Sequence, residues 1–328
     1  MAKIRKYLYG IIGLANKESF GNIGIRNSEV YTIQYRDVAA LVSDIPENYE
    51  IDLEEARTHE KTLTKVMETR TVIPIGFGVI AKNEDYIRNM LKRARMKFKI
   101  ALENMNDKLQ INVKILWDKA VLASILDEHE EIRKLSREVK ENGGLSLRIE
   151  LGRKVKSALD ERKSEYLENI QCALKDLSDG FKENRAIDQD TLLNASFLVL
   201  KNREQEFYSI LEELGKKYEK KLQFLNTCPL PPFNFINILM KRIDFNTLKE
   251  ARKTLGLEEE ISMSEIDSAY NLLARKYHPD LLPDDPSAEE RFKKIKNAHE
   301  LLAKYCEHYL CSLEKTKVEE TILVQEKD

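Results

Sequence analysis

The chain has 328 residues, 42% hydrophobic and 34% charged, with 54 lysines and arginines against 56 aspartates and glutamates. That length allows two or three domains, each with its own core, and the near-balance of charge argues against a protein that coats nucleic acid. No apolar run approaches the roughly eighteen residues that a membrane-spanning helix needs, and four scattered cysteines, Cys172, Cys228, Cys306 and Cys311, make no disulfide framework. A cytoplasmic chain without nucleic-acid or membrane partners is expected.

Residues 1–118 interleave β-rich segments (YLYGII, VYTIQY, VAALVSDI, VIPIGFGVIA, INVKILWD) with helical patterns and read as one α+β lobe. Lys3, Arg5 and Lys6 precede an apolar run as in a secretory leader, but the run is short and lacks a small-residue cleavage site, so it reads as a first strand. His59-Glu60 would begin a zinc-protease helix only with a second histidine at 63, where Leu63 stands; His59 is then a capping or packing residue. Pro74 removes a ladder donor, which places its strand on an edge or beside a bulge, with Gly76 and Gly78 permitting close backbone approach. Between the last two strands, Ile87, Leu91, Ala94, Phe98, Ala101, Leu102 and Met105 recur at three and four residues as the apolar stripe of one helix. The basic string Lys92, Arg93, Arg95, Lys97 and Lys99 beside it reads as a solvated face.

Residues 119–190 read as a helical arm. Gly143-Gly144 interrupts it, a stripe of Leu151, Val155, Ala158, Leu159, Tyr166, Ile170, Ala173, Leu174 and Leu177 follows, and Asp179-Gly180 is expected to end it. Residues 191–240 then form a strand-helix-strand lobe that echoes the first, FLVLKN answering FGVIAKN and KLQF answering KLQI, with a helix about two turns shorter. The expected class is α+β: two ferredoxin-like α/β lobes joined by the arm.

YLYGIIG, DVAALVSDIP, HEKTL, TVIPIGFG and CPLPPFNFINI, in this order and spacing, resemble the gas-vesicle accessory family L/F (GvpL/GvpF) from about Tyr7 to Ile238. The resemblance implies binding to gas-vesicle shell or accessory proteins. It also marks Pro74, Phe77, Gly78, Pro231, Pro232, Phe233 and Asn234 as motif positions with an architectural role. Two departures stand out: Gly76 occupies a position where the family usually carries arginine, and Leu230 one where it carries tryptophan. Pro231-Pro232 is expected to fix an extended corner that lays Phe233 and Phe235 on apolar surface.

Residues 246–311 turn helical. Ser262 with Glu265, and Ser287 with Glu290, each match a capping box, Asn246 is placed to cap a shorter preceding helix, and Gly256 to close it. The first helix of the pair buries Ile266, Ala269, Tyr270, Leu273 and Tyr277, and the second Phe292, Ile295, Ala298 or His299, and Leu302. Pro279, Pro283 and Pro286 stiffen the connection into an antiparallel hairpin. With LLARKYHPD followed by ERFKKIKNAHELL, this stretch resembles the J domain of DnaJ-type co-chaperones. The resemblance implies docking to a DnaK-type chaperone through His278, Pro279 and Asp280, with Arg275, Lys276 and Tyr277 beside them, and ATP hydrolysis performed by that partner. Asp267, Ser268 and Asn271 stand where such domains commonly carry lysine or arginine, so the basic face is thin.

His299, Cys306, His308 and Cys311 contain metal-ligand types, but helical geometry turns Cys306 away from His308, and ordinary packing is expected. No phosphate loop, nucleophile elbow or paired carboxylates point to an enzyme or a cofactor. The final residues, 312–328, read as a frayed polar tail. The sequence thus implies a gas-vesicle assembly factor that recruits a chaperone. The alternatives are a structural vesicle component with a silent J-like peg and a general co-chaperone with other clients.

Overall fold

The computed structural model describes residues 4–13, 16–50, 52–117, 128–185, 190–242, 244–281, 285–306, 311–320 and 322–326. Pro283 and His308 lie outside the described residues. Two compact units emerge, one built from Met1–Asn104 together with Asn237–Asp328, the other from Met105–Ile236.

The first unit begins with β1 (Ile4–Gly13), β2 (Ser19–Gly21), β3 (Val30–Tyr35) and β4 (Val38–Pro46), continues through α1 (Ala56–Met67), β5 (Val72–Pro74) and β6 (Ile80–Ala81), and reaches α2 (Glu84–Asn104). The sheet is antiparallel in the order β2-β3-β4-β1-β5, with β6 also on β1. Tyr7 through Tyr9 and Ala39 through Val42 are buried consecutively, so both faces of these central strands are covered and the usual alternation is lost. Pro74 pairs with Gly10 on the edge strand, opposite a register shift in β1 between Leu8 and Gly10, so the missing donor falls at an edge and beside a bulge. Of the two expected close-approach glycines, Gly78 adopts φ +89°, whereas Gly76 faces open space. On α2 the buried residues are Ile87, Met90, Leu91, Ala94 and Phe98. Within its basic string, Arg95 grips Asp37 with two hydrogen bonds of 2.6 and 2.7 Å.

The second unit comprises β7 (Lys108–Trp117), α3 (Glu130–Asn142), α4 (Leu145–Lys175), β8 (Gly180–Glu183), β9 (Thr191–Leu200), α5 (Glu204–Lys217) and β10 (Leu222–Asn226). Its antiparallel order, β10-β7-β9-β8, is the split βαβ arrangement of ferredoxin-like sheets. The boundary expected at 118 therefore falls before β7, because that strand's ladder partners are β9 and β10. The echo between the two strand-helix-strand stretches is likewise divided, since β6 pairs in the first sheet and β7 in the second. The arm belongs to this unit as its crossover: Tyr166, Ile170 and Leu174 on α4 are buried, and Tyr166 meets Trp117 and Tyr218 at ring distances of 5.8 and 5.1 Å. Gly144 is the N-cap residue of α4, and the helix ends at Lys175, before Gly180 opens β8.

The chain then returns to the first unit through β11 (Ile238–Arg242), α6 (Phe245–Leu255), β12 (Glu260–Ile261), α7 (Met263–Tyr277), α8 (Ala288–Tyr305), β13 (Cys311–Ser312), α9 (Lys315–Glu320) and β14 (Ile322–Glu326). Helices α6, α7 and α8 enclose Leu248, Ala251, Leu255, Ile266, Ile295, Ala298 and Leu302. Gly256 closes α6 at φ +69°. The cap of α6 is Asp244, which accepts from the Thr247 amide at 2.9 Å, rather than Asn246. Ser262 makes its capping box, accepting from Glu265 N while Glu265 accepts from Ser262 N at 2.7 Å. Ser287 does not: its amide and hydroxyl both donate to Asp285, at 2.9 and 2.6 Å, an Asx turn that competes for the same groups. Ser262→Ala is expected to lower the thermal midpoint of this helical domain by an amount equivalent to about 1 kcal/mol, while Ser287→Ala, lacking a cap bond, changes it far less.

The last residues are not a frayed tail. Leu313 and Val318 complete the helical core, and β14 pairs antiparallel with β11 from Ile322↔Arg242 to Glu326↔Ile238, running against α2. The composition is polar, but burial of Leu313, Val318 and Ile322 needs only three well-placed apolar side chains. Residues Ile238–Arg242, just ahead of the helical domain, are thus a paired strand.

Candidate functional site

The tip of the α7–α8 hairpin gathers all six residues singled out there. Pro279 disfavours helix at the residue before it, and His278 accordingly leaves α7 at φ −65°, ψ 130° as its C-cap. Pro279, Asp280 and Leu281 follow as one 3₁₀ turn, and the Leu281 amide donates to the His278 carbonyl at 3.0 Å. The Asp280 amide donates to His278 Nδ1 at 3.3 Å, which leaves the proton of the neutral imidazole on Nε2. The imidazole rests edge-on against Phe292 of α8, ring centroids 5.1 Å apart, and Arg291 lies over the Tyr277 ring. Both side chains of the triplet nonetheless open outward, His278 at 43% and Asp280 at 87% exposure, and Arg275 and Lys276 are exposed on the last turn of α7. The turn presents an acceptor carboxylate and an imidazole on a backbone that loses little freedom on docking.

Behind the tip the two helices are tied by a side-chain hydrogen bond that sequence reasoning missed. His299 Nε2 meets Asp267 Oδ1 at 2.8 Å and stacks on Tyr270 at 4.3 Å. The acidic residue at 267 is therefore engaged within the hairpin. Of the possible metal-binding set, His299 is held by this pair and Cys306 is buried in the helical core.

In the first unit, Phe77 and Gly78 gather about His59 and Tyr7. His59 is buried on α1, where Nε2–H donates to the Ile75 carbonyl at 3.0 Å and Nδ1 accepts from the Tyr7 hydroxyl at 3.0 Å. The carbonyl can only accept, so these partners settle the tautomer. The Gly78 amide donates to Tyr7 Oη at 3.1 Å, and Phe77 lies edge-on to His59 at 5.8 Å. Burial pulls the His59 pKa down to about 4 and raises that of Tyr7, so the imidazole is neutral near pH 7. His59 thus packs, and YLYG, HEKTL and IPIGFG meet through it.

In the second unit, Leu230 and Gln110 exchange backbone bonds of 2.9 and 2.8 Å, after which buried Pro231 and Pro232 turn the chain. Phe233 is half-buried, and Phe235 packs against Gly180, where an added Cβ would lie 3.1 Å from its ring. Asn234 joins a polar network on the sheet: its amide donates to Gln110 Oε1 at 2.8 Å and its Nδ2 to Ser196 Oγ at 2.6 Å, while Ser196 donates to Asn112 at 2.7 Å. Gln110, Asn112 and Ser196 were not anticipated; for the first two the signal was the alternation of amide and apolar residues along KLQINVKI.

Sheet, split-βαβ unit and proline-braced helical hairpin define a class: an α+β protein with a J-type module. The profile of the family described as "Gas vesicle synthesis protein GvpL/GvpF" matches residues 5–237, and that of the DnaJ domain matches residues 252–307. The chain belongs to the GvpL/GvpF family and carries a DnaJ domain behind it. It is 30% identical over 240 residues to gas vesicle protein F of Streptomyces sp., covering 70% of this chain and 98% of that one. The crystal structure of GvpF from Anabaena sp. PCC7120 superposes with a TM-score of 0.63 at 25% identity, covering 71% of this chain and 98% of that one. A 57-residue stretch is 49% identical to the chaperone protein DnaJ of Halothermothrix orenii, spanning 17% of this chain and 15% of the relative.

Proposed function

We propose that this protein is a cytoplasmic gas-vesicle assembly factor whose residues 5–237 bind shell or accessory proteins while its J module recruits a DnaK-type chaperone to them. The observation that carries the reading is an exposed His278-Pro279-Asp280 turn, braced by Phe292, in a chain whose residues 5–237 match the gas-vesicle family. A shell subunit with a large apolar surface is an aggregation hazard before assembly, and a chaperone recruited beside it would hold it. In this reading His278, Pro279 and Asp280 engage the ATPase, Arg275, Lys276 and Tyr277 flank them, and hydrolysis takes place on the partner. The motif residues Pro74, Phe77, Gly78, Pro231, Pro232, Phe233 and Asn234 hold the two sheets of this region in shape.

Single-turnover ATP hydrolysis by a DnaK-type ATPase, measured with the full-length protein, tests the recruitment. His278→Gln is expected to reduce stimulation by about tenfold or more without changing the thermal midpoint, because the side chain is exposed and contributes a docking contact. Unchanged stimulation by the variant rejects the co-chaperone role. Capture on the immobilised full-length chain tests the client: gas-vesicle shell and accessory proteins are expected in the bound fraction, and their absence rejects the assembly reading.

A further inference from the structure

Two large apolar side chains stand exposed beside the His278-Pro279-Asp280 turn of the J module. Leu272 and Leu281 are 72% and 66% exposed, among the largest such values for apolar side chains in the described residues. A single exposed leucine carries no information, but these two bracket the His278-Pro279-Asp280 turn, one less than two turns before it and one directly after. Leu272 shares its helical face with Arg275 and Lys276, at three and four residues' spacing, whereas the core side of α7 is formed by Ile266, Ala269, Tyr270 and Leu273. Neither leucine therefore contributes to the helical core. Asp267 on the preceding turn is held by His299 at 2.8 Å, and Ser268 and Asn271 are uncharged, which leaves Arg275 and Lys276 as the exposed cations at this end of α7.

We infer that the surface of the DnaK-type partner that meets this tip is apolar where Leu272 and Leu281 land and acidic where Arg275 and Lys276 land, with the leucines supplying most of the affinity. This rests on the recruitment reading and names the chemistry of the same site. Burying a leucine stabilises a complex by more than a solvent-exposed ion pair does, and apolar burial is not screened by salt. The docking is thereby selective: a chaperone whose matching surface is acidic throughout would leave both leucines against carboxylates.

The test is calorimetric or surface-based titration of the full-length protein with the DnaK-type ATPase of the same genome, at low and high sodium chloride. The double variant Leu272→Ser, Leu281→Ser is expected to bind about a hundredfold more weakly, and the parent's Kd to change by less than about fivefold over the salt range. Retained affinity in the double variant overturns the inference, as does a parent Kd that moves by fivefold or more with salt. If the leucines instead cover a second copy of this chain, the variant changes sedimentation while its chaperone affinity stays put, which also overturns it. His278→Gln in the same assay separates the two levels: lost stimulation with unaffected leucine variants rejects only the apolar anchors, while a parent that neither binds nor stimulates rejects the recruitment beneath them.

Discussion

Lowering the pH from neutral to about 4 is expected to remove about 3 kcal/mol of stability from the first unit, and His59→Gln is expected to abolish that loss. The buried imidazole has its pKa pulled from 6.5 to about 4, burial being the main cause and the bond to Ile75 a smaller opposing one. In the unfolded chain the same ring titrates near 6.5. Between those values the unfolded state binds the extra proton, so stability falls as pH drops below 6.5 and levels off below 4. The groups facing the ring are the Tyr7 hydroxyl, the Tyr9 and Phe77 rings and the Ile75 carbonyl, and Glu55 acts on the two tyrosines; no cation among them competes for the effect. Surface carboxylates also titrate on this path, but they are common to both proteins and cancel in the difference. Amide exchange in β1 and β4, followed against pH in parent and variant, reads the first unit directly. Trp117, the single tryptophan, lies in the second unit, and its fluorescence serves as the internal control. Parallel pH profiles for the two proteins would show that His59 is not buried as described.

The second large effect is expected at Gly10. An added Cβ there would lie 2.8 Å from Val72 Cγ1, 2.9 Å from Leu63 Cδ2 and 3.0 Å from the Ile73 carbonyl oxygen. Two of these neighbours are packed core side chains and the third is backbone, so relief requires α1 and β5 to move together. Replacing glycine by alanine lowers the entropy of the unfolded chain and by itself favours folding by less than about 1 kcal/mol. Overpacking in a dense core costs more, and Gly10→Ala is expected to destabilise the first unit by about 3 kcal/mol, with Gly10→Val worse. Gly76→Ala, at a position with nothing nearby, is the matched control and changes little. Urea unfolding monitored in the first unit checks both: the Gly10 midpoint falls with an unchanged slope, and the Gly76 midpoint stays.

The helices were legible because a 3.6-residue stripe survives any tertiary context that buries one face. Ile87, Leu91, Ala94 and Phe98 of the α2 stripe are buried as read, while Ala101 and Leu102 are only partly so and Met105 lies past the helix end; the core side of α7 packs as read, and the turn at His278 follows from the restriction that Pro279 imposes on its neighbour. Caps were legible only in part. Ser262 had no competitor, but Asp244 stood two residues from Asn246, and Asp285 offered Ser287 an Asx turn in place of its box; spacing alone does not rank such rivals.

By itself, then, the sequence determined the α+β class, the helical hairpin with its proline corner, and the presence and order of recognisable motifs, all of which are carried by local sterics, short-range periodicity and residue identity. Only the tertiary structure decided which sheet β7 enters, that His59 links three motifs, and that the last strand returns to pair with β11. Strand partners and buried polar contacts join residues far apart in the chain, and their selection depends on long-range packing that no local window contains.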